Sequence, residues 1–109
     1  MLLSGYQLMW MMVMFDLPVL TKPQRKAATA FRNFLLDQGF EMSQFSVYMR
    51  FCAGKEQVEA LTRKIGANLP QSGKVHVLSF TDRQYQNIVC FTGRSRGPSQ
   101  KKREQYVLF

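Results

Sequence analysis

The chain has 109 residues, 46% of them hydrophobic, and 15 Lys and Arg against 7 Asp and Glu give a formal net charge of +8. This length predicts one domain with a modest core, and the basic surplus favours a polyanionic partner such as nucleic acid. The plain alternative is a basic protein without such a partner. The two cysteines, Cys52 and Cys90, form no CxxC pair, which argues against a zinc cluster or a disulfide scaffold.

The first apolar run, residues 8–15, predicts a strand buried on both faces, and Asp16 is the one charge at its exit. Thr21 then begins a predicted helix, since Gln24 three residues later completes a capping box. Gly39 is the expected stop just after this helix. The apolar face of the helix is expected to consist of Ala27, Phe31, Phe34 and Leu35.

The next segment predicts a β-hairpin. Side chains alternate in polarity from Phe45 to Cys52, and Phe40–Gln44 is the expected partner strand. A second helix is expected over residues 55–68. Its core stripe is expected to consist of Val58, Leu61, Ile65 and Leu69.

Residues 75–80 alternate again and predict another strand, followed by a turn at Thr81-Asp82-Arg83 and a last strand over Tyr85–Phe91. The order is β-α-β-β-α-β plus an extra C-terminal strand, an α+β, ferredoxin-like arrangement. Right-handed crossovers place both helices on one face of the sheet and leave the other apolar face bare. A sheet-mediated homodimer is the simplest way to cover that face.

The composition changes at Gly93, so we expect a ferredoxin-like domain over residues 1–92 and a separate segment over 93–109. The segment begins as a flexible basic linker and ends in Tyr106, Val107, Leu108 and Phe109, which are expected to dock as an edge strand on this chain or a partner. The N-terminal apolar stretch lacks the features of a signal peptide and is too short to span a bilayer. A cytoplasmic protein without a membrane partner is therefore expected.

Asp16 is the one acidic residue whose position suggests chemistry. It is either a turn residue of Asp16-Leu17-Pro18 or a metal ligand. If two subunits meet across their sheets, their Asp16 carboxylates would face each other over a shared Mg²⁺, an ion that takes one or two carboxylates and activates water. The lone histidine, His76, lies in mid-strand, where a packing or surface role is usual.

Basic residues supply the candidate nucleic-acid contacts. Arg25 and Arg32 are seven residues apart and therefore share one face of the first helix, with Lys22 close by. Such side chains contact phosphates without reading sequence; the alternative is a solvated helix face and tail. The tail adds Arg94, Arg96, Lys101, Lys102 and Arg103.

Several motifs together resemble one known family. They are Met12–Pro18, residues 26–35, Gly39-Phe40, Gln44–Tyr48 and Gly73–Val75. Across about residues 8–92 the chain is similar to the CRISPR-associated protein 2 family of small CRISPR adaptation endonucleases, in the form that accompanies single-protein RNA-guided effectors. The strand-end Asp and the Gln-x-Ser-Val-aromatic signature are specific when they occur together.

The resemblance implies a ferredoxin-like fold, a sheet-mediated homodimer, and Asp16 as the catalytic Mg²⁺ ligand of an endonuclease acting on RNA or DNA. It also implies a heterohexamer, in which one dimer of this chain bridges two dimers of the CRISPR adaptation integrase and holds prespacer double-stranded DNA. Tyr106–Phe109 would contact the integrase. Many family members carry a Glu just after the Ser-Val-aromatic motif, whereas Met49 and Arg50 stand there in this chain.

Two other functions remain open. A stand-alone metal-dependent ribonuclease of toxin type, acting on single-stranded RNA, would require Asp16, whereas an adaptation scaffold would tolerate its loss. An RNA-recognition-motif protein on the same topology is disfavoured, because no Lys/Arg-Gly-Phe/Tyr string lies on the third strand.

Overall fold

The computed structural model describes residues 7–93 of the chain. This part contains four strands and three helices, joined by loops. The strands are antiparallel and lie in the order β2-β3-β1-β4. This order confirms the predicted ferredoxin-like core. The strands are β1 (Met9–Asp16), β2 (Glu41–Gln44), β3 (Val47–Cys52) and β4 (Lys74–Thr81), and the helices are α1 (Lys22–Asp37), α2 (Lys55–Gly66) and α3 (Asp82–Gln86).

The central strand, β1, separates two different faces of the sheet. Met11, Val13 and Phe15 are buried against α1 and α2, whereas Met12 and Met14 on the opposite face are only half-buried. The prediction of a strand buried on both faces is therefore wrong for a single chain. The apolar run is continuous because both faces are apolar, although only one of them is covered by helices.

The core confirms most of the helical pattern. Leu35 and Ile65 are almost completely buried, as the periodicity predicts. Two positions differ: Ala28 is buried in place of Ala27, and Leu69 is half-exposed because α2 ends at Gly66 rather than near residue 68.

The start of α1 follows its capping signal. The Gln24 backbone N–H donates to Thr21 Oγ1 at 3.2 Å, and the Thr21 N–H donates to Gln24 Oε1 at 3.0 Å. At the other end Gly39 has φ +88°, and a Cβ there would lie 2.8 Å from Arg50 Nε. The left-handed backbone favours glycine at this position, whereas the Arg50 side chain is flexible enough to move away from a Cβ.

The β2–β3 hairpin forms as predicted, but its turn was misplaced. Phe45 and Ser46 form the turn, and β3 begins at Val47 rather than at Phe45. Ser46 has φ +65°, a left-handed conformation that reverses the chain here. Phe45 and Ser46 therefore continue the polarity pattern of β3 without belonging to the strand.

The last described element is a helix where the sequence predicted a turn and a strand. Thr81 is the N-cap of α3, and its hydroxyl accepts from the Gln84 N–H at 3.1 Å. Residues 87–93 are neither helix nor strand, so the predicted strand over Tyr85–Phe91 is wrong. Within residues 7–93, no helix is long and apolar enough to cross a membrane.

Candidate active site and nucleic-acid interface

Asp16 is the last residue of β1, and its side chain is exposed. It lies in register with Lys74, the first residue of β4. Since side chains alternate along a strand, Asp16 belongs to the same face as Trp10, Met12 and Met14. The site thus places one carboxylate and one ammonium side by side at the edge of the face that the helices leave open.

Two turns hold the backbone around Asp16. Gly73 has φ +99°, and a Cβ at this position would come within 2.7 Å of the Asp16 carbonyl oxygen and 2.8 Å of Leu17 Cδ2. On the other side, the Phe15 N–H donates to the Ser46 carbonyl at 3.1 Å. The backbone at Asp16 is therefore packed on both sides while its carboxylate stays exposed.

The loop after Asp16 is fixed by the first turn of α1. Arg25 Nη1 donates to the carbonyl oxygens of Val19 and Leu20, each at 3.1 Å. Gln24 Oε1 also accepts from the Leu20 N–H at 2.9 Å. The sequence predicts Arg25 as a phosphate contact. The structure shows that it also holds the loop before α1, which its spacing in the sequence does not reveal.

A single chain offers Mg²⁺ too few ligands. Residues 7–93 contain no group of three or more His, Cys, Asp or Glu side chains able to hold a metal ion. Met49 is in register with Met12 on the face of Asp16, but Met12 and Asp16 are about 13 Å apart along β1 at the normal strand rise. An acid at position 49 would therefore lie far from Asp16 of the same chain. Two Asp16 carboxylates from two chains, with water ligands, do fit the preference of Mg²⁺.

The sheet face opposite the helices carries a broad apolar surface, here called the open face. Within it, Phe51 and Leu78 are 43% and 42% exposed, and the single histidine, His76, is also exposed. Cross-strand register places its members together. They are Trp10, Met12, Met14, Val47, Met49, Phe51, His76, Leu78 and Phe80, and of these only Met49 is buried.

Helix α3 covers one end of the open face. The Trp10 ring stacks on Tyr85 with centroids 4.0 Å apart, and Trp10 Nε1–H donates to Asp82 Oδ1 at 2.8 Å. Gln86 Nε2 donates to the other carboxylate oxygen of Asp82 at 2.7 Å. Asp82 was predicted as a turn residue, so its role in holding Trp10 was missed, although Thr81-x-x-Gln84 repeats the capping signal of α1.

The predicted basic contacts fall into separate groups. Lys22 and Lys26 are exposed and line, with Arg25, a shallow depression on α1. Arg32 lies about two helical turns beyond Arg25, with its guanidinium carbon 5.6 Å from the centre of the Phe45 ring. The other predicted contact residues lie outside the described part of the chain; they are Arg94, Arg96, Lys101, Lys102, Arg103, Tyr106, Val107, Leu108 and Phe109.

Cys52 is a packing residue rather than a reactive one. It is completely buried on the helix side of β3. Burial raises the pKa of the Cys52 thiol, and the hydrogen bond from Arg50 Nη1 at 3.7 Å offsets this effect only in part. Burial of Cys52 therefore disfavours the thiolate, which is the form that acts as a nucleophile or metal ligand.

Comparison with known proteins gives a consistent result. The family model described as CRISPR associated protein Cas2 matches residues 9–88. The CRISPR-associated endoribonuclease Cas2 of Paracidovorax avenae is 60% identical over 108 residues, which are 99% of this chain and 100% of that protein. Proteins of the same name from Flavobacterium psychrophilum and Parvibaculum lavamentivorans are each 43% identical, over 98% and 93% of this chain and 93% and 100% of their own lengths. The family match extends from β1 through α3.

Proposed function

The chain belongs to the CRISPR-associated Cas2 family, and on this basis we propose that it is a cytoplasmic CRISPR adaptation subunit that carries a Mg²⁺-dependent endonuclease site at Asp16. The observation that carries the proposal is the exposed Asp16 carboxylate at the end of a central strand, on a backbone packed by two turns. Relatives of high identity are named endoribonucleases, which supports RNA cleavage.

The active form is a homodimer joined through the open face. A single chain leaves this apolar surface without cover by α1 or α2, and Leu78 and Phe51 in it are substantially exposed. Burying such a surface against a second copy contributes about 25 cal/mol of hydrophobic stabilisation for each Å² of apolar area, which offsets the entropy lost on association. The dimer brings two Asp16 side chains to one site, which completes a ligand set that one chain lacks.

The residues around Asp16 suit cleavage of a phosphodiester. Bound Mg²⁺ would be held by the Asp16 carboxylates, where it supplies charge neutralisation at the phosphate and an activated water. Lys74, in register with Asp16, orients the substrate through its phosphate. Arg25 and Gln24 keep the following loop in place, so the carboxylate is held before substrate arrives.

The adaptation role extends this site into a larger assembly. One dimer of this chain bridges two dimers of the CRISPR adaptation integrase and holds prespacer double-stranded DNA between them. The net charge of +8 and the exposed Lys22 and Lys26 support binding to a phosphate backbone. Tyr106–Phe109 are the proposed integrase contact.

The second candidate function is a stand-alone ribonuclease that cleaves single-stranded RNA. The names of the relatives favour it, because they specify an endoribonuclease and no DNA substrate. The two functions make different demands on Asp16. A stand-alone enzyme fails without this carboxylate, whereas a bridging scaffold needs it only if cleavage is part of adaptation.

The deciding experiment compares Asp16→Ala with Asp37→Ala, a matched loss of an exposed carboxylate at the end of α1. RNA and DNA cleavage are measured with Mg²⁺, and spacer acquisition is measured with the integrase. We expect Asp16→Ala to lower cleavage at least 100-fold while Asp37→Ala retains it. Unchanged cleavage in Asp16→Ala would exclude the proposed active site.

Acquisition then separates the two functions. Loss of cleavage with normal acquisition identifies the chain as a scaffold whose metal site serves another purpose. Loss of both, with the complex still assembled, makes cleavage part of adaptation. Cleavage in the absence of any binding to the integrase would favour the stand-alone ribonuclease.

A further inference from the structure

The tip of the β2–β3 turn presents an aromatic ring to solvent. Phe45 is 79% exposed, and it lies apart from the open face, since it precedes β3 and occupies the turn. A single exposed apolar side chain needs no explanation by itself. This one has two further properties that together indicate a ligand.

The first property is a cation beside the ring. The Arg32 guanidinium carbon lies 5.6 Å from the ring centroid of Phe45, within the range of a cation–π contact. Arg32 is half-buried on α1, so its side chain has less freedom than the exposed lysines of the same helix. The guanidinium therefore lies over one face of the ring, while most of the Phe45 side chain remains exposed to solvent.

The second property is a turn whose backbone is tied to β1 at the residue before Asp16. Ser46 has φ +65°, and its carbonyl accepts from the Phe15 N–H at 3.1 Å. The turn is therefore tied to the residue that directly precedes the candidate metal ligand. Groups held on a stiff turn select ligands better than groups on a mobile loop.

We propose that Phe45 and Arg32 form a platform that stacks one unpaired nucleobase of the nucleic acid that reaches Asp16. Bases in a duplex are already stacked on their neighbours, whereas an unpaired base is free to stack on an aromatic side chain. The Arg32 guanidinium over the ring supplies a charge for the adjoining phosphate. The inference rests on the proposed function and adds to it a pair of side chains that contacts a base of the substrate.

Equilibrium binding without metal tests the platform separately from cleavage. Fluorescence anisotropy with a labelled single-stranded RNA in EDTA would compare the natural chain with Phe45→Leu and Phe45→Tyr. We expect Phe45→Leu to bind about tenfold more weakly, the usual effect of losing one base–aromatic stack, with an unchanged salt slope. Phe45→Tyr retains the ring and is expected to bind normally.

Two control variants show whether the loss of binding is specific to Phe45 and Arg32 or follows from removing any exposed ring or any cation. Phe91 is 78% exposed, and Phe91→Leu is expected to leave binding unchanged. Arg32→Gln is expected to weaken binding more than Arg63→Gln on α2, although both remove an exposed or half-exposed cation. Loss of a phosphate contact by Arg32 would also reduce the salt slope by about one.

A comparison of three ligands, single-stranded RNA, an RNA without bases and a duplex, identifies whether the Phe45 ring contacts an unpaired base. With an RNA that lacks bases, or with a duplex, the natural chain and Phe45→Leu are expected to bind equally. An equal loss on all three ligands, or no loss on any, overturns the platform. If Phe45→Leu instead weakens self-association in sedimentation while RNA binding stays normal, the ring is a protein contact and the inference is wrong.

The same data separate this inference from the proposed function. If the natural chain binds and cleaves RNA through Asp16 but Phe45→Leu behaves identically, only the platform is excluded. If the natural chain binds no nucleic acid, the proposed function fails and the platform fails with it.

Discussion

The two ends of β1 are built in opposite ways. At its start, Trp10 is enclosed by Tyr85 at 4.0 Å and Phe51 at 5.3 Å, and its indole N–H is satisfied by Asp82. At its end, Asp16 carries an exposed carboxylate. One strand therefore has a side chain fully engaged with its neighbours at one end and a side chain left available at the other.

The two ends of β1 differ in which atoms make the contacts. At the Trp10 end the side chain itself makes the contacts. At the Asp16 end the contacts are made by the backbone, through the close approach of Gly73 and the hydrogen bond between Phe15 and Ser46. This arrangement fixes the position of a carboxylate without using its oxygens, so they remain free to bind a metal ion or a substrate.

The largest expected effect is on stability at the Trp10 end. Trp10→Ala removes the stack with Tyr85 and the partner of Asp82, and we expect a loss of about 3 kcal/mol in the free energy of unfolding. Urea denaturation measures it. Trp10→Phe keeps an aromatic ring and loses only the hydrogen bond, so its expected cost is about 1 kcal/mol. Equal losses for the two variants would show that stacking contributes little.

The next effect lies at the Asp16 end and acts through the backbone. Gly73→Ala places a Cβ 2.7 Å from the Asp16 carbonyl in a left-handed conformation, and we expect a loss of about 2 kcal/mol. Cleavage should fall as well, because Asp16 must shift. Gly66→Ala is the control: its Cβ meets nothing within 4 Å, and it is expected to be neutral or stabilising by about 0.5 kcal/mol. Normal cleavage by Gly73→Ala would contradict backbone positioning.

A smaller effect is expected at the loop between Asp16 and α1. Arg25→Lys keeps the charge but removes Nη1, which donates to the carbonyls of both Val19 and Leu20, at a cost of about 1 kcal/mol. Cleavage is expected to fall while the salt dependence of nucleic-acid binding stays unchanged. Arg63→Lys, on an exposed part of α2, is the matched control. A flatter salt slope in Arg25→Lys would instead favour the phosphate contact predicted from the sequence.

The smallest effect on stability is expected at Asp16 itself. Asp16→Ala removes an exposed carboxylate, and we expect the free energy of unfolding to change by less than about 0.5 kcal/mol. Thermal unfolding by circular dichroism measures this change. A large drop in melting temperature would show that the carboxylate contributes to folding, and the contrast between the two ends of β1 would then be lost.

Much of this fold follows from local signals in the sequence. The capping box at Thr21 located the start of α1 correctly. The same Thr-x-x-Gln spacing at Thr81 begins α3, but the apolar residues after it favoured a strand, and a helix of five residues is too short to show a helical period. Where a local signal and an apolar pattern conflicted, the local signal was correct.

The candidate site was predicted less completely. The position of Asp16 at the end of an apolar run predicted an exposed carboxylate, which the structure confirms. The roles of Gly73 and Ser46 depend on contacts between turns that are distant in the chain, so composition and spacing do not show them. Arg25 illustrates a related difficulty: spacing assigns a side chain to a helix face but does not show which carbonyl oxygens lie within its reach.

The enclosure of Trp10 also has a practical consequence. It is the only tryptophan in the chain, and it contacts the ring of Tyr85 in α3. Its intrinsic fluorescence therefore reports the docking of α3 on the sheet without any attached label. Because the indole also belongs to the open face, the same emission would respond when a second copy covers that face, so one optical signal would follow assembly in real time.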